Sequence, residues 1–155
     1  MSSLYQVRRG IRELLTEGGL WAEDEVIIKR RTDIWNDVAV ACAASARGQC
    51  LVVGVAKGRR MGTSGRRGVK TIRLEVTIPI TLMELPTIAP EQAEEGEPDE
   101  DDRWEATVMR LDGDPLGRSP LHFQLDLEEF EDVEDEEYVI RQTIFKTTLL
   151  ITPGA

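Results

Sequence analysis

Strict alternation is the plainest pattern in the chain. In KTIRLEVTIPITLMELP, Ile72, Leu74, Val76, Ile78, Ile80 and Leu82 take turns with Thr71, Arg73, Glu75, Thr77, Pro79 and Thr81. A period of two sends successive side chains to opposite faces of a sheet, so one face is expected to meet a core and the other water or a partner. Pro79 has no backbone donor, which predicts an edge or a bulge there. Helical spacing governs SLYQVRRGIRELLTEGG, where Leu4, Val7, Ile11, Leu14 and Leu15 recur, Ser3 and Gln6 fit a capping box, and Gly18-Gly19 supplies a left-handed exit. The same spacing in RWEATVMRL brings Trp104, Val108 and Leu111 together, with Asp101 or Asp102 as cap. TDIWNDVAVACAASARG predicts a slim, alanine-rich helix from Thr32 or Asp33 to a terminator at Gly48.

The other segments read as strands. EVIIKR is short and β-branched, and QCLVVGVA is an uninterrupted apolar run that predicts a strand covered on both faces. LHFQLDLEEF alternates Leu121, Phe123, Leu125 and Leu127 with polar residues, and EDVEDEE then predicts an acid-rich turn. YVIRQTIFKTTLLI is β-rich from Tyr138 to Ile151, but both of its faces are mixed in polarity, which calls for a bulge or a second chain. Fourteen extended residues reach about 46 Å, more than the diameter of roughly 40 Å expected of a compact body of this length. Long strands are therefore expected to overhang. The sum is an α+β fold: a mixed, mostly antiparallel sheet with long strands, packed against two or three helices in a single domain over residues 1–155.

Charge adds a second layer. The net charge is -10, yet GRRMGTSGRRG and its surroundings form a basic arm at 57–70, with Arg59, Arg60, Arg66, Arg67 and Lys70 as its candidate interface residues. Acid collects in TIAPEQAEEGEPDEDD, an aperiodic loop at 87–102 containing Glu94 and Glu95, and in Asp126 to Glu137, containing Glu134, Asp135 and Glu136. The arm is not a phosphate loop, because neither Gly58 nor Gly62 opens the required Gly-x4-Gly-Lys-Ser/Thr pattern. Its arginines suit phosphates, but no aromatic is interleaved for base stacking and the acidic runs repel a polyanion. A plain solvated loop is the bland alternative. A neighbouring copy that receives the arm on its acidic segments makes a head-to-tail contact, which closes into a ring or continues as a filament.

Little points to chemistry. Cys42 and Cys50 flank AASARGQ and read as small buried hydrophobes, and with His122 the only other soft ligand, no metal site is expected. His122 lies in an alternating segment beside Phe123 and reads as a packed or edge histidine, without the partners of a catalytic triad. DGDPLG resembles the start of a calcium loop, but Leu116 and Phe123 stand where oxygen ligands belong. No apolar run approaches the roughly 20 residues of a membrane helix and no secretory core opens the chain, so the expectation is a cytoplasmic, non-enzymatic protein without cofactors.

The order of elements, from the N-terminal helix through DIWNDVAVACAASARGQCLVVGVA and TIRLEVTIPITLMELP to RWEATVMRL, LHFQLDLEEF and YVIRQTIFKTTLLI, resembles the tail-terminator (tail-completion) proteins of long-tailed bacteriophages. The resemblance spans nearly the whole chain as order and pattern, and the acidic loop is longer than that pattern needs. It implies a hexameric ring of identical subunits that caps the tail tube, stops its polymerisation and joins tail to head. The implied partners are the tail-tube protein and the head-tail connector protein, with DNA only as passing cargo and no membrane. The implied location is the head-proximal end of the virion tail, after assembly in the host cytoplasm. A different connector ring, a tail-tube subunit, and a small nucleic-acid-binding accessory protein are the alternatives.

Overall fold

Residues 3–29, 34–64, 71–85, 100–114 and 124–151 are described by the computed structural model. Helix α1 (Ser3–Glu17) buries Val7, Ile11 and Leu15. It ends at the Gly18-Gly19 turn, where Gly19 adopts φ 74°, a conformation open to glycine at no steric cost. A single 3-10 turn (Glu23–Glu25) leads into strand β1 (Val26–Ile28), and helix α2 (Trp35–Ala44) follows. Helix α2 stops at Ser45, before the expected terminator: Gly48, at φ 65°, belongs to the turn that enters β2 (Gln49–Val53). Ile34 precedes α2 without a side-chain cap, while Thr32 and Asp33 lie outside the described residues.

Strands β3 (Lys57–Ser64) and β4 (Thr71–Glu84) come next, then helix α3 (Glu100–Leu111), β5 (Asp126–Val133) and β6 (Val139–Ile151). The six strands form one mixed sheet in the order β1-β2-β4-β6-β5, with β3 also paired to β4. Only β1 and β2 are parallel; the other pairings are antiparallel. This is the α+β fold expected from the sequence.

Strand β4 carries the alternation faithfully. Val76, Ile78, Ile80 and Leu82 are buried on the face that meets α1 and α3, together with Trp21, Leu51, Val53, Leu111, Leu125, Phe145 and Leu149. The opposite face holds a smaller cluster in which Val38, Ala41 and Cys42 of α2 pack on Cys50, Val52, Met83 and Ile140. Every residue of β2 is buried because helices cover both of its faces, as its unbroken apolar run predicts. Pro79 sits in a central strand, opposite the place where β2 ends and β3 begins. Gly54 N–H donates to the Pro79 carbonyl at 2.7 Å across that break, so the donor that proline lacks falls where no strand is waiting for it.

Strand β6 needs no bulge. Its register against β4 is continuous from Ile72–Ile151 to Glu84–Val139. Its mixed faces arise because two layers cover it: Ile140 enters the cluster under α2, whereas Thr143, Phe145, Thr147 and Leu149 are buried on the face toward α1 and α3. Toward the far end of the β3-β4-β6 ribbon burial fades, with Ile72 and Leu74 half-buried and Met61 and Ile151 exposed. Of the acidic loop expected at 87–102, residues 87–99 lie outside the described residues, while those from Glu100 onward are helix, and Asp101 and Asp102 lie inside α3 instead of capping it. Likewise the strand expected to end at Phe130 continues to Val133, so the acid-rich turn expected from Glu131 starts only at Glu134.

Candidate assembly interface

The sheet has three outer strands, and they differ in how their edges are treated. Along β1, Arg8 and Arg12 reach over from α1: Arg8 donates to the Lys29 carbonyl, and Arg12 donates to the carbonyls of Val26 (3.4 Å) and Glu23 (3.0 Å). Among the described residues, β3 pairs only with β4 and β5 only with β6, which leaves each with an outer edge of backbone donors and acceptors. Both strands are eight residues long, each is interrupted by a bulge, and they carry opposite charge.

Strand β3 presents Lys57, Arg59 and Arg60, all exposed, around the exposed Met61. Arg59 lies 3.3 Å from Glu75 on the neighbouring strand, and Lys146 approaches the other oxygen of the same carboxylate at 3.4 Å. The Arg59 side chain is nonetheless 77% exposed, so this pair holds it only weakly and leaves it reachable. Strand β5 presents Asp126, Glu128, Glu129, Glu131 and Asp132, and Phe130 is half exposed in their midst. Phe130 is held in place from behind: its ring lies 4.6 Å from that of Trp104, and the Arg141 guanidinium lies over both rings. Trp104 is in turn fixed by its Nε1–H donating to Thr143 Oγ1 at 2.8 Å. Arg141 donates from Nε (2.7 Å) and Nη2 (3.2 Å) to the Asp132 carboxylate and holds it below the usual carboxylate range.

Of the residues singled out by sequence, Arg59 and Arg60 thus lie on β3. Glu134, Asp135 and Glu136 form the exposed turn that continues the acidic edge, shaped by Asp135 accepting the backbone N–H groups of Glu137 and Tyr138 at 3.0 Å each. Arg66, Arg67, Lys70, Glu94, Glu95 and His122 lie outside the described residues. Of the β5 acids, Asp126, Glu128 and Glu129 fall in the alternating segment expected as a strand, whereas Glu131 and Asp132 were expected in the acid-rich turn, because beyond Leu127 the strand has no buried face to continue the alternation.

A second constellation, buried under the sheet end, escaped sequence reading altogether. Arg103 of α3 grips Glu25 with two nitrogens, Nη2 to Oε1 at 2.8 Å and Nη1 to Oε2 at 3.1 Å, and also donates to Gln49 Oε1 (2.9 Å) and twice to the Leu20 carbonyl. Its guanidinium lies 3.6 Å from the centre of the Trp21 ring. Glu25 also accepts from Ser45 Oγ (2.6 Å) and the Ala22 N–H (2.9 Å), and Gln49 Nε2 donates to the buried Glu84 carboxylate at 3.2 Å. Burial pushes the Glu25 carboxyl up, but the hydrogen bonds from Arg103, Ser45 and Ala22, with the guanidinium charge, outweigh it and hold the carboxyl below its ordinary value. Arg103 spends all its donors on protein groups, so the cluster is a clamp between α3, α2 and the sheet, with no donor left for a ligand.

Cys42 and Cys50 are free and buried, as small hydrophobes would be. Among the described residues no group of three or more acidic, histidine or cysteine side chains is placed to hold a metal, and no helix is long and apolar enough to cross a membrane. The class defined by fold and surface is an α+β protein whose mixed sheet ends in a basic edge on one side and an acidic edge on the other. No protein-family model matches the chain, and no curated protein matches it either.

Proposed function

We propose that the protein is a structural virion component, a tail terminator: a ring of identical subunits, six by resemblance, that caps the tail tube of a long-tailed bacteriophage, ends its polymerisation and joins tail to head. The observation that carries this reading is the opposite charge of two sheet edges that are unpaired among the described residues. Two copies joined β5 to β5 or β3 to β3 set like charges side by side, at a cost of several kcal/mol. Joined β3 to β5, the charges attract and the backbone groups of both edges find partners.

Strand direction fits the same arrangement. Each step of the ribbon β3-β4-β6-β5 is antiparallel, so its two outer strands run in opposite directions. A rotation about an axis near the strand direction then brings β3 of one copy antiparallel to β5 of the next. Every junction is alike and heterologous, so the assembly closes when the rotation divides a full turn. Each antiparallel backbone bond contributes about 0.5–1.5 kcal/mol net. In this reading the tail-tube protein and the head-tail connector protein bind the two ends of the ring, DNA passes through it, and no residue does catalysis or holds a cofactor.

Negative-stain electron microscopy of the purified full-length protein tests the reading. Single closed rings are expected. Long tubes assign the chain to the tube itself, and a protein that stays solitary at high concentration while shifting nucleic acid in a salt-dependent gel assay is the accessory binder instead.

A further inference from the structure

Two thiols meet in the smaller core, away from both sheet edges. Cys42 lies on the buried side of α2 and Cys50 on β2, and both belong to the same cluster with no exposed surface. Cys50 is the register partner of Met83 in the β2-β4 ladder, and Cys42 Sγ lies 3.9 Å from the Met83 carbonyl oxygen, so the Cys42 sulfur sits over the same rung of the sheet. We infer that Cys42 and Cys50 form a closable dithiol, a modification site at which a two-electron oxidant ties the C-terminal turn of α2 to β2 by an intramolecular disulfide.

The surroundings couple the two thiols. Hydrogen bonding with Cys50 holds the Cys42 thiol below its ordinary range, while that same bond and burial push the Cys50 thiol up. Both thiols have no exposed surface, so the oxidant reaches them when the end of α2 opens, and exchanging the two sulfurs leaves the following steps balanced. Diamide, a small diazene, supplies the oxidising equivalents without attacking methionine. Cys42 loses its proton and its sulfur adds to one nitrogen of the N=N bond, and the other nitrogen takes up a proton. Cys50 then loses its proton and its sulfur attacks that of Cys42; the sulfur–nitrogen bond breaks, its electron pair leaves on nitrogen, and protonation yields the hydrazine. Two electrons pass from the dithiol to diamide. AASARGQ, the segment closed into a loop, contains Ser45, which donates to Glu25, so the bridge also braces the clamp around Arg103.

The experiment is diamide treatment of the native full-length protein, followed by denaturation, alkylation and intact-mass measurement. The expected product is a monomer lighter by two hydrogens that takes up no alkylating agent, unfolds several degrees higher than the reduced form, and regains both thiols with dithiothreitol. Cys42→Ser and Cys50→Ser variants should not show the mass loss. Should either fail to fold, the mass and reversibility of the unsubstituted protein decide. The inference is overturned if both thiols are still alkylated after treatment, or if bridging occurs only between chains or only in denaturant. None of these outcomes depends on the ring.

Discussion

Arg103→Ala is the substitution with the largest consequence for the fold. Arg103 and Glu25 retain only 7% and 8% of their surface exposed, and the arginine directs its donors at Glu25, Gln49 and the Leu20 carbonyl while stacking over Trp21. Removing the guanidinium leaves a carboxylate in the interior with Ser45 and the Ala22 amide as its remaining donors. Breaking one side of a buried pair costs about 3–5 kcal/mol, because the stranded charge loses its partner without regaining water. That is a large share of the roughly 5–15 kcal/mol by which a domain is stable. Urea unfolding at neutral pH, followed by tryptophan fluorescence, measures the loss as a lower midpoint at unchanged slope. Arg9→Ala is the control: its pair with Glu13 is half exposed and spans one helical turn, so about 0.5 kcal/mol or less is expected. If Arg103→Ala falls within about 1 kcal/mol of the unsubstituted protein, the clamp contributes no more than a surface pair and the reasoning fails.

Further outcomes follow from the same contacts. Because the folded-state pKa of Glu25 is lowered, the stability it contributes is complete above the ordinary carboxylate range and is lost as pH falls through the lower folded value. Urea midpoints recorded from neutral to strongly acidic pH should therefore fall less steeply for Glu25→Gln than for the unsubstituted chain, and equal slopes speak against it. Gly54→Ala should destabilise by about 1–3 kcal/mol, since a β-carbon there meets Pro79 Cγ at 2.5 Å and its carbonyl oxygen at 2.9 Å, and neither the proline ring nor the backbone can swing aside. A thermal midpoint that does not move contradicts this. Phe145→Ala, which empties a fully buried ring site at the centre of the larger cluster, should cost about 3–5 kcal/mol by the same urea assay.

Periodicity was legible wherever one side of an element is buried and the other is not. Strand β4 and helix α1 show it at Val76 to Leu82 and at Val7, Ile11 and Leu15, and the unbroken run of β2 announced its two covers. Legibility failed where burial and charge part company. Strand β5 buries none of its residues fully: Leu125 and Leu127 still announce its start, but Glu131 to Val133 imitate the turn that follows them. The two faces of β6 looked contradictory because α2 covers one of them only near Ile140. Arg103 and Glu25 stand 78 positions apart, and each alone resembles a solvated charge; nothing local distinguishes a side chain that folding will bury against its counter-ion. The basic arm was visible as composition, but its division into a paired strand required the register with β4.

Opposite edges on one chain make a test by exchange available. One variant carries Lys in place of Asp126, Glu128, Glu129, Glu131, Asp132, Glu134, Asp135 and Glu136 on β5 and its turn, so that both of its edges are basic; the other carries Lys57→Glu, Arg59→Glu and Arg60→Glu on β3, so that both are acidic. Multi-angle light scattering of each alone and of the equimolar mixture is the most direct measurement. Head-to-tail pairing predicts that neither variant assembles by itself and that mixing restores closed rings in which the two alternate. Rings from either variant alone, or a mixture that stays monomeric while the unsubstituted protein assembles, contradict it.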